Sequence, residues 1–373
     1  LGLVGSCDDR PMPGTIPKPL EPMLRQFAEV TGHIFDLGWA EAGAGNISAD
    51  VTSLIKVPPT PVGRNSLALP RPLPSLAGHR LLVTATGSRF RDFHKAPEDK
   101  VCLVEVSPDG SRVSWRGLVW SAKGVAPTSE LQSHLLIHAT LRDLHSEHRA
   151  IVHAHTTHLA TISHLKTCAD SASLNRLLWS IHSEVKVFAP RGLTLLPYLR
   201  PGSDELGAAT ARAVRDGADA ILWRYHGAVA HGHEPYAALD RLHVLDKAAQ
   251  MVLLCLASGE PWEGLDDAQL AELERVWGHF RCHHVYRTDH LTMLKSSLHW
   301  MSSIVLGGFI VGTPKSLLDN APLRALLSRN VRFPRIQNAI DSGWLDAVAV
   351  TAASYATARS TSFFQGSSNH TGW

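Results

Sequence analysis

The sequence predicts an α/β domain, a mixed and mainly antiparallel sheet covered by helices, followed by a C-terminal extension of different character. Three observations carry this. Short apolar runs of strand length are interspersed with stretches whose apolar residues recur every three or four positions. Turn signals such as Pro108-Asp109-Gly110 and Pro190-Arg191-Gly192 join strand candidates at hairpin spacing. The composition then shifts after about Cys282: no Glu occurs from Arg275 to Trp373, and helical periodicity weakens.

In chain order, residues 1–20 combine Gly, Pro and Asp8-Asp9 without periodicity and read as a flexible leader. From Pro22 to Gly38, Leu24, Phe27, Val30, Ile34 and Leu37 form the apolar face of an amphipathic helix. Residues 57–78 are Pro-rich and read as a loop, and Leu81–Thr84 as a buried strand. Val101–Val106 and Arg112–Trp120 are strands, and Ser129–His145 is a helix entered through Pro127-Thr128. Ala150–His155 is a strand that begins apolar and ends polar. Leu174–Trp179 closes a further helix, and Val185–Phe188 and Leu193–Pro197 are short strands. Ser203-Asp204-Glu205 caps a helix running to about Arg215. Ala220–Trp223 is a strand, and Tyr236–Leu256 a long helix with Leu239, Leu242, Leu245, Ala249 and Val252 on one face. The expected organisation is a leader (1–20), a catalytic domain (21–281) and an extension (282–373) of unassigned role. That extension is an added small domain, a poorly ordered segment or an out-of-frame tail.

The 36 Lys and Arg against 34 Asp and Glu leave a net charge of +2, with no basic excess for nucleic acid or an anionic membrane. The longest apolar runs, Met251–Ala257 and Ile304–Val311, fall well short of the roughly 18 residues of a membrane span. Five widely spaced cysteines without a CxxC pair argue against a disulfide framework and for a reducing, cytoplasmic setting. The first 20 residues show no signal-peptide pattern. Histidine stands out, at 22 residues.

His153-Ala154-His155 is the strongest local signal, because residues i and i+2 of a strand share a face and two imidazoles can meet one metal ion. A chance pair of histidines on a half-exposed strand reads the same way. His226-Gly227, directly after a strand, is a candidate third ligand. Pro127-Thr128-Ser129-Glu130 opens a helix; Glu130 is either an ordinary first-turn acid or a general base facing the metal. Ala44-Gly45-Asn46-Ile47-Ser48 and Thr84-Ala85-Thr86-Gly87 have the small polar character of phosphate-binding turns, with backbone N–H groups as the expected donors.

In this order, Gly45-Asn46-Ile47-Ser48, Thr84–Gly87, Pro127–Glu130, His153-Ala154-His155 and Tyr225-His226-Gly227 resemble the class II aldolase/adducin family. Val83–Arg91, Ala126–His138, Arg176–Trp179 with Glu184, and Pro201–Gly207 extend the likeness from about Pro22 to Phe280 and point to members acting on L-rhamnulose 1-phosphate. The resemblance implies an αβα-layered domain assembled as a homotetramer. It implies one Zn²⁺ per subunit on His153, His155 and His226, with Glu130 as acid/base. Asn46, Thr86, Gly87, Thr128 and Ser129 would line the phosphate pocket. Glu184 would reach a neighbouring subunit's site at the aldehyde end. The implied reaction is reversible retro-aldol cleavage of the phosphorylated ketose to dihydroxyacetone phosphate and L-lactaldehyde. Other members acting on sugar phosphates (fuculose-phosphate aldolase, ribulose-phosphate 4-epimerase, methylthioribulose-phosphate dehydratase) and non-catalytic adducin-like proteins share the pattern in part. Gly43, Thr86 and Ser88 stand where the resemblance expects Asn, Ser and Lys.

Overall fold

The computed structural model describes residues 16–55, 65–118, 124–277, 293–295, 297–299, 301–302, 321–354 and 359–366. The chain divides into two compact units, Leu1–Gly278 and His279–Trp373. The expected leader lies mostly outside the described residues. Its end is a 3-10 turn, Lys18–Leu20, that buries Leu20.

The first unit is built on a nine-stranded sheet in the order β2-β5-β4-β3-β1-β6-β9-β8-β7. Its strands are β1 Asn46–Asp50, β2 Ser66–Ala68, β3 Arg80–Thr84, β4 Val101–Val106, β5 Arg112–Gly117, β6 Ala150–Ala154, β7 Leu193–Leu196, β8 Ala220–Trp223 and β9 Gly227–Gly232. Every pairing is antiparallel except β7 with β8. The helices are α1 Glu21–Asp36, α2 Leu131–Asp143, α3 Thr157–Ile162, α4 Ser171–Ile181, α5 Ser183–Phe188, α6 Asp204–Arg215, α7 Pro235–Ser258 and α8 Asp267–Trp277.

Alternation along the strands sorts the core into layers, since neighbouring side chains point to opposite faces. Ile47, Leu82, Val152, Leu222 and Ala230 pack with Leu24 of α1, Leu159 of α3, Leu174 of α4, Val185 of α5 and Leu242 of α7. Ile151, Ile221 and Val229 pack on the other face with Ile137 and Leu141 of α2 and Leu206 and Val214 of α6. Leu81, Val83 and Val104 continue that face beneath Leu131 and Leu135 of α2. The result is an αβα sandwich. The central strands β1, β6 and β9 are buried along their whole length, as strands covered on both faces must be.

Local chemistry accounts for the helix starts. Ser203 accepts a hydrogen bond from the Leu206 N–H, with Asp204 and Glu205 in the first turn of α6. Asp170 does the same for α4 through Ser173 N–H. Proline opens α1 and α7, where a missing N–H costs no helical bond.

Several elements differ from expectation. Val185–Phe188 is not a strand but part of helix α5. The Val-Lys-Val alternation suggests a strand, yet only Val185 is buried, while Lys186 is held by the Pro190 carbonyl and the Trp179 ring. Tertiary contacts here outweigh β propensity. The loop expected over 57–78 contains β2 and a 3-10 turn at Pro74–Leu76; residues 56–64 are outside the described set. Strand β5 ends at Gly117, and of the expected stretch to Trp120 the last two residues are not described. Helix α2 starts at Leu131, two residues later than expected. Strands β1 and β9 and helix α3 had no sequence counterpart. No described helix is long and apolar enough to cross a membrane.

The second unit contains helices α9 Ala321–Asn330 and α10 Phe333–Asp341 and an antiparallel pair, β10 Ala347–Ser354 with β11 Arg359–Gly366. The order of residues 282–320 is outside what the described residues address, apart from three short helical pieces.

Candidate metal and active site

The site lies where β6, the β8–β9 turn and the start of α2 converge. Strand β6 carries His153, and His155 follows one residue past its end. The β8–β9 turn, closed by a 3.0 Å bond from His226 N–H to the Trp223 carbonyl, presents His226. Tyr225 in that turn has φ of +65°, an uncommon conformation for a residue with a side chain. Such a backbone costs on the order of 1–3 kcal/mol and persists where the surroundings enforce it.

Two glycines permit the convergence. A Cβ at Gly227 would stand 2.5 Å from the Ala154 carbonyl oxygen and 3.1 Å from His153 Cε1. A Cβ at Gly45, where φ is +84°, would stand 2.9 Å from the Phe90 ring and 3.2 Å from the His153 carbonyl oxygen. Only glycine fits at either position without backbone movement.

One potential ligand atom from each of His153, His155 and His226 lies within 4.8 Å of the other two. Each imidazole has its own support. His153 Nδ1–H donates to the Ala228 carbonyl at 3.0 Å, which leaves Nε2 as a bare lone pair. That Nε2 is buried and has no hydrogen-bond partner, and the same is true of His226 Nδ1. His155 Nδ1 meets Glu41 Oε1 at 2.5 Å. Trp223 lies beneath, its ring 4.6 Å from His153 and 5.2 Å from His226, anchored by an Nε1–H bond to Thr210 Oγ1.

Burial pushes the His153 imidazolium down to about 3, with His155 adding to the effect and the Ala228 bond opposing it. Burial likewise pushes His226 down, reinforced by His153. Both rings are therefore neutral near pH 7, as a metal ligand must be. Partial burial works to raise the Glu41 carboxyl, but hydrogen bonding and attraction from His155 outweigh it and hold it below its ordinary value. Three imidazoles, two with an orphaned buried nitrogen, fit a borderline-soft divalent cation such as zinc.

Glu130 completes the cluster. It occupies the N-cap position of α2 and makes no side-chain capping bond there. Its Oε2 is 3.5 Å from His153 Nε2 and its Oε1 3.4 Å from His226 Nε2. Asn46, at the start of β1, donates to Oε2 at 2.9 Å. Asn46 thus reaches the site, but with its amide engaged by Glu130 and His134.

The other phosphate candidates also come together. An isolated bridge joins Ala85 to Pro127, so Thr86 and Gly87 lie beside Thr128 and Ser129. Thr86, Gly87 and Ser129 are exposed, and Thr128 is buried. The Thr86 N–H is engaged by the Ala126 carbonyl and the Thr128 N–H by the Thr84 carbonyl. An anion here would meet hydroxyls rather than those two amides, which differs from the expected backbone cradle. Ser88 points inward to the Lys100 carbonyl. Glu184 is exposed on α5, where its described hydrogen bond is with Ser183; no contact joins it to the histidine cluster. Sequence reasoning missed Glu41, Trp223 and His134, none of which carries a motif of its own.

Residues 25–253 match the profile described as the Class II Aldolase and Adducin N-terminal domain. The chain belongs to this family. It is a class II aldolase, a lyase, and the family is metal-dependent. Among curated relatives, the rhamnulose-1-phosphate aldolase of Bacteroides thetaiotaomicron is 30% identical over 255 residues, spanning 67% of this chain and 92% of the relative. That of Listeria monocytogenes serovar 1/2a is 28% identical over 267 residues, spanning 68% and 93%. A solved sugar-phosphate aldolase from Thermotoga maritima superposes with a TM-score of 0.55 at 32% identity, covering 65% of this chain and 98% of that one. These likenesses bear out the expected family and fold and support sugar-phosphate aldolase activity.

Proposed function

We propose that the protein cleaves L-rhamnulose 1-phosphate reversibly to dihydroxyacetone phosphate and L-lactaldehyde. The observation that carries this reading is a carboxylate, Glu130, held by Asn46 and set 3.5 Å from His153 Nε2, a buried nitrogen without a hydrogen-bond partner, and 3.4 Å from His226 Nε2. The names of the relatives support the choice of substrate.

His153, His155 and His226 would hold zinc, which supplies a Lewis acid for the negative charge that develops on the substrate oxygens. The chain's own residues do the rest. In the cleavage direction the C4 hydroxyl gives up its proton and becomes the aldehyde as the C3–C4 bond breaks; the electron pair stays on C3 of the dihydroxyacetone phosphate half, and Glu130 takes up the released proton and returns one to that carbon. In the condensation direction Glu130 removes the same proton; a base of this kind contributes about 10²–10⁴-fold. The hydroxyls of Thr86, Thr128 and Ser129 and the turn at Gly87 bind the phosphate, remote from the reacting bond. That binding energy orients C3 toward Glu130. Glu184, exposed beside Val187 and Phe188 at 39% and 41% exposure, reaches the aldehyde end of a neighbouring subunit's site in a homotetramer. The free thiols of Cys102, Cys168 and Cys255 fit a cytoplasmic enzyme.

The test is dihydroxyacetone phosphate release from L-rhamnulose 1-phosphate by the zinc-loaded protein, with and without EDTA. Release abolished by the chelator and by Glu130→Gln, with metal content retained in the variant, is the expected result. No release from protein that demonstrably holds zinc overturns the substrate. Near-normal turnover in Glu130→Gln overturns the base.

A further inference from the structure

Beneath the site, the interface between α2 and β1 is polar where layer packing would place apolar side chains. On β1, Ile47 and Ala49 enter the apolar core on one face, while Asn46 and Ser48 project to the other. Opposite them stand His134 and His138, one helical turn apart on α2. Asn46, Ser48, His134 and His138 are 5%, 0%, 1% and 1% exposed. Burying four polar side chains together is costly unless each finds a partner. Here they form one continuous chain: His138 Nε2 to Ser48 Oγ at 2.8 Å, Ser48 Oγ to His134 Nδ1 at 2.6 Å, His134 Nε2 to Asn46 Oδ1 at 2.5 Å, and Asn46 Nδ2 to Glu130 Oε2 at 2.9 Å.

The direction of the chain follows from its end. Asn46 turns its NH₂ toward Glu130 Oε2 and its Oδ1, which can only accept, toward His134 Nε2. His134 must then carry its proton on Nε2. Full burial keeps this ring neutral, so Nδ1 accepts from the Ser48 hydroxyl, which in turn accepts from His138. With any link reversed, the Asn46 amide would flip and set its oxygen against the carboxylate. Glu130 is thereby held through Oε2, leaving Oε1, on the His226 side, as the oxygen free for proton transfer.

We infer that His134, with Ser48 behind it, is a positioning residue of the aldol reaction: its Nε2–H fixes the Asn46 amide, and that amide aims Glu130. The inference rests on Glu130 being the base, and its test separates the two. His134→Leu should lower kcat about 10–100-fold, less than loss of the base itself, with KM and bound zinc unchanged. His134→Gln, whose amide can still donate to Asn46, should recover part of the loss, and Ser48→Ala should show a smaller one. The Asn46→Ala/His134→Leu double variant should fall no further than Asn46→Ala alone. Wild-type kcat in His134→Leu, equal losses in the Leu and Gln variants, additive losses, or a change in KM alone would each overturn the assignment. Should the Leu variant fail to fold, the Gln and Ser48→Ala variants carry the kinetic test. Long-range ¹H–¹⁵N correlation of the zinc-loaded wild type reads the chain without turnover. The expected His134 signature is a neutral ring protonated at Nε2, and a ring protonated at Nδ1 would overturn the inference even if the substrate were another sugar phosphate. Inactivity of the wild type on L-rhamnulose 1-phosphate, with that signature present, would overturn only the substrate.

Discussion

Gly227→Ala tests the architecture of the site most directly. The added methyl would sit 2.5 Å from the Ala154 carbonyl oxygen and 3.1 Å from both His153 Cε1 and His155 Cα. Ordinary contact begins at 3.4 Å, so the closest approach is too short by 0.9 Å, and two of the three obstacles are backbone atoms. They cannot rotate away; β6 and β9 must part. His153 and His155 move with β6, and His226 immediately precedes the substituted residue. A metal site tolerates ligand displacements of about 0.2 Å. The strand separation exceeds that several-fold, so zinc affinity should fall at least about tenfold, comparable to the loss of an outer-shell partner. Overpacking should also cost about 1–3 kcal/mol of stability without metal. The assay pairs urea unfolding of chelated protein with zinc competition against a chromogenic chelator. Gly32→Ala is the control: Gly32 lies inside α1 with nothing within 4 Å of the methyl it would gain, so this change should stabilise the protein by up to about 1 kcal/mol. A Gly227→Ala protein that unfolds and binds zinc like the wild type would refute the reasoning.

Three other outcomes follow from the same geometry. Glu41→Ala removes the carboxylate that orients His155 Nδ1 and should weaken zinc binding about 10–100-fold while leaving the apo fold intact, since Glu41 is exposed; unchanged affinity in the same competition assay would show that the pair is incidental. Trp223→Leu should lower zinc affinity and apo stability together, because the indole under the His153 and His226 rings and its bond to Thr210 are both lost; equal apo stability would exclude a structural role for the indole. Stability of the chelated protein should fall between pH 7 and pH 5. Burial pushes His138 and His231 down to about 4 from an ordinary 6.5. In that window the unfolded chain binds protons the folded chain refuses, so acidification favours unfolding by at most about 1.4 kcal/mol per pH unit for each group. The two together give roughly 4 kcal/mol by pH 5, read as a shift in the urea midpoint; a flat profile would contradict their buried neutral state.

The fold was legible where periodicity was long or punctuation was strong. Helices α1, α6 and α7 announce themselves by apolar spacing and by Pro22, Ser203 and Pro235. Strand β9, Gly-Ala-Val-Ala-His-Gly, does not: its small residues between glycines resemble a turn, yet small residues are what α7 packing closely over the strand requires. A Cβ at Gly232, for instance, would lie 2.7 Å from the Ala238 backbone nitrogen. Glu130 and the three histidines were legible because strand ends and a helix start place them by local rules. Their partners were not. Asn46 and Glu130 are 84 residues apart, and only the pairing of β1 with β6, Asn46 opposite His153, brings that amide to the carboxylate.

Strand β1 shows why that gap is more than a failure of pattern reading. Its sequence, Asn-Ile-Ser-Ala-Asp, alternates polar with apolar, as a strand with one solvated face does. Instead β1 sits between β3 and β6 and is wholly buried. Asp50 at its far end is matched by His79 at 2.8 Å, as Asn46 and Ser48 are matched by Glu130 and His134. A buried central strand that keeps a polar face gives up hydrophobic stabilisation along its length, and each polar residue then needs a partner supplied by a distant element. Asn46, Ser48, His134 and His138 place such an arrangement directly under Glu130. The polarity that hides β1 from sequence reading is thus the same polarity that hydrogen-bonds it, through Asn46, to Glu130, and the His134 and Ser48 variants test whether that bonding serves the reaction.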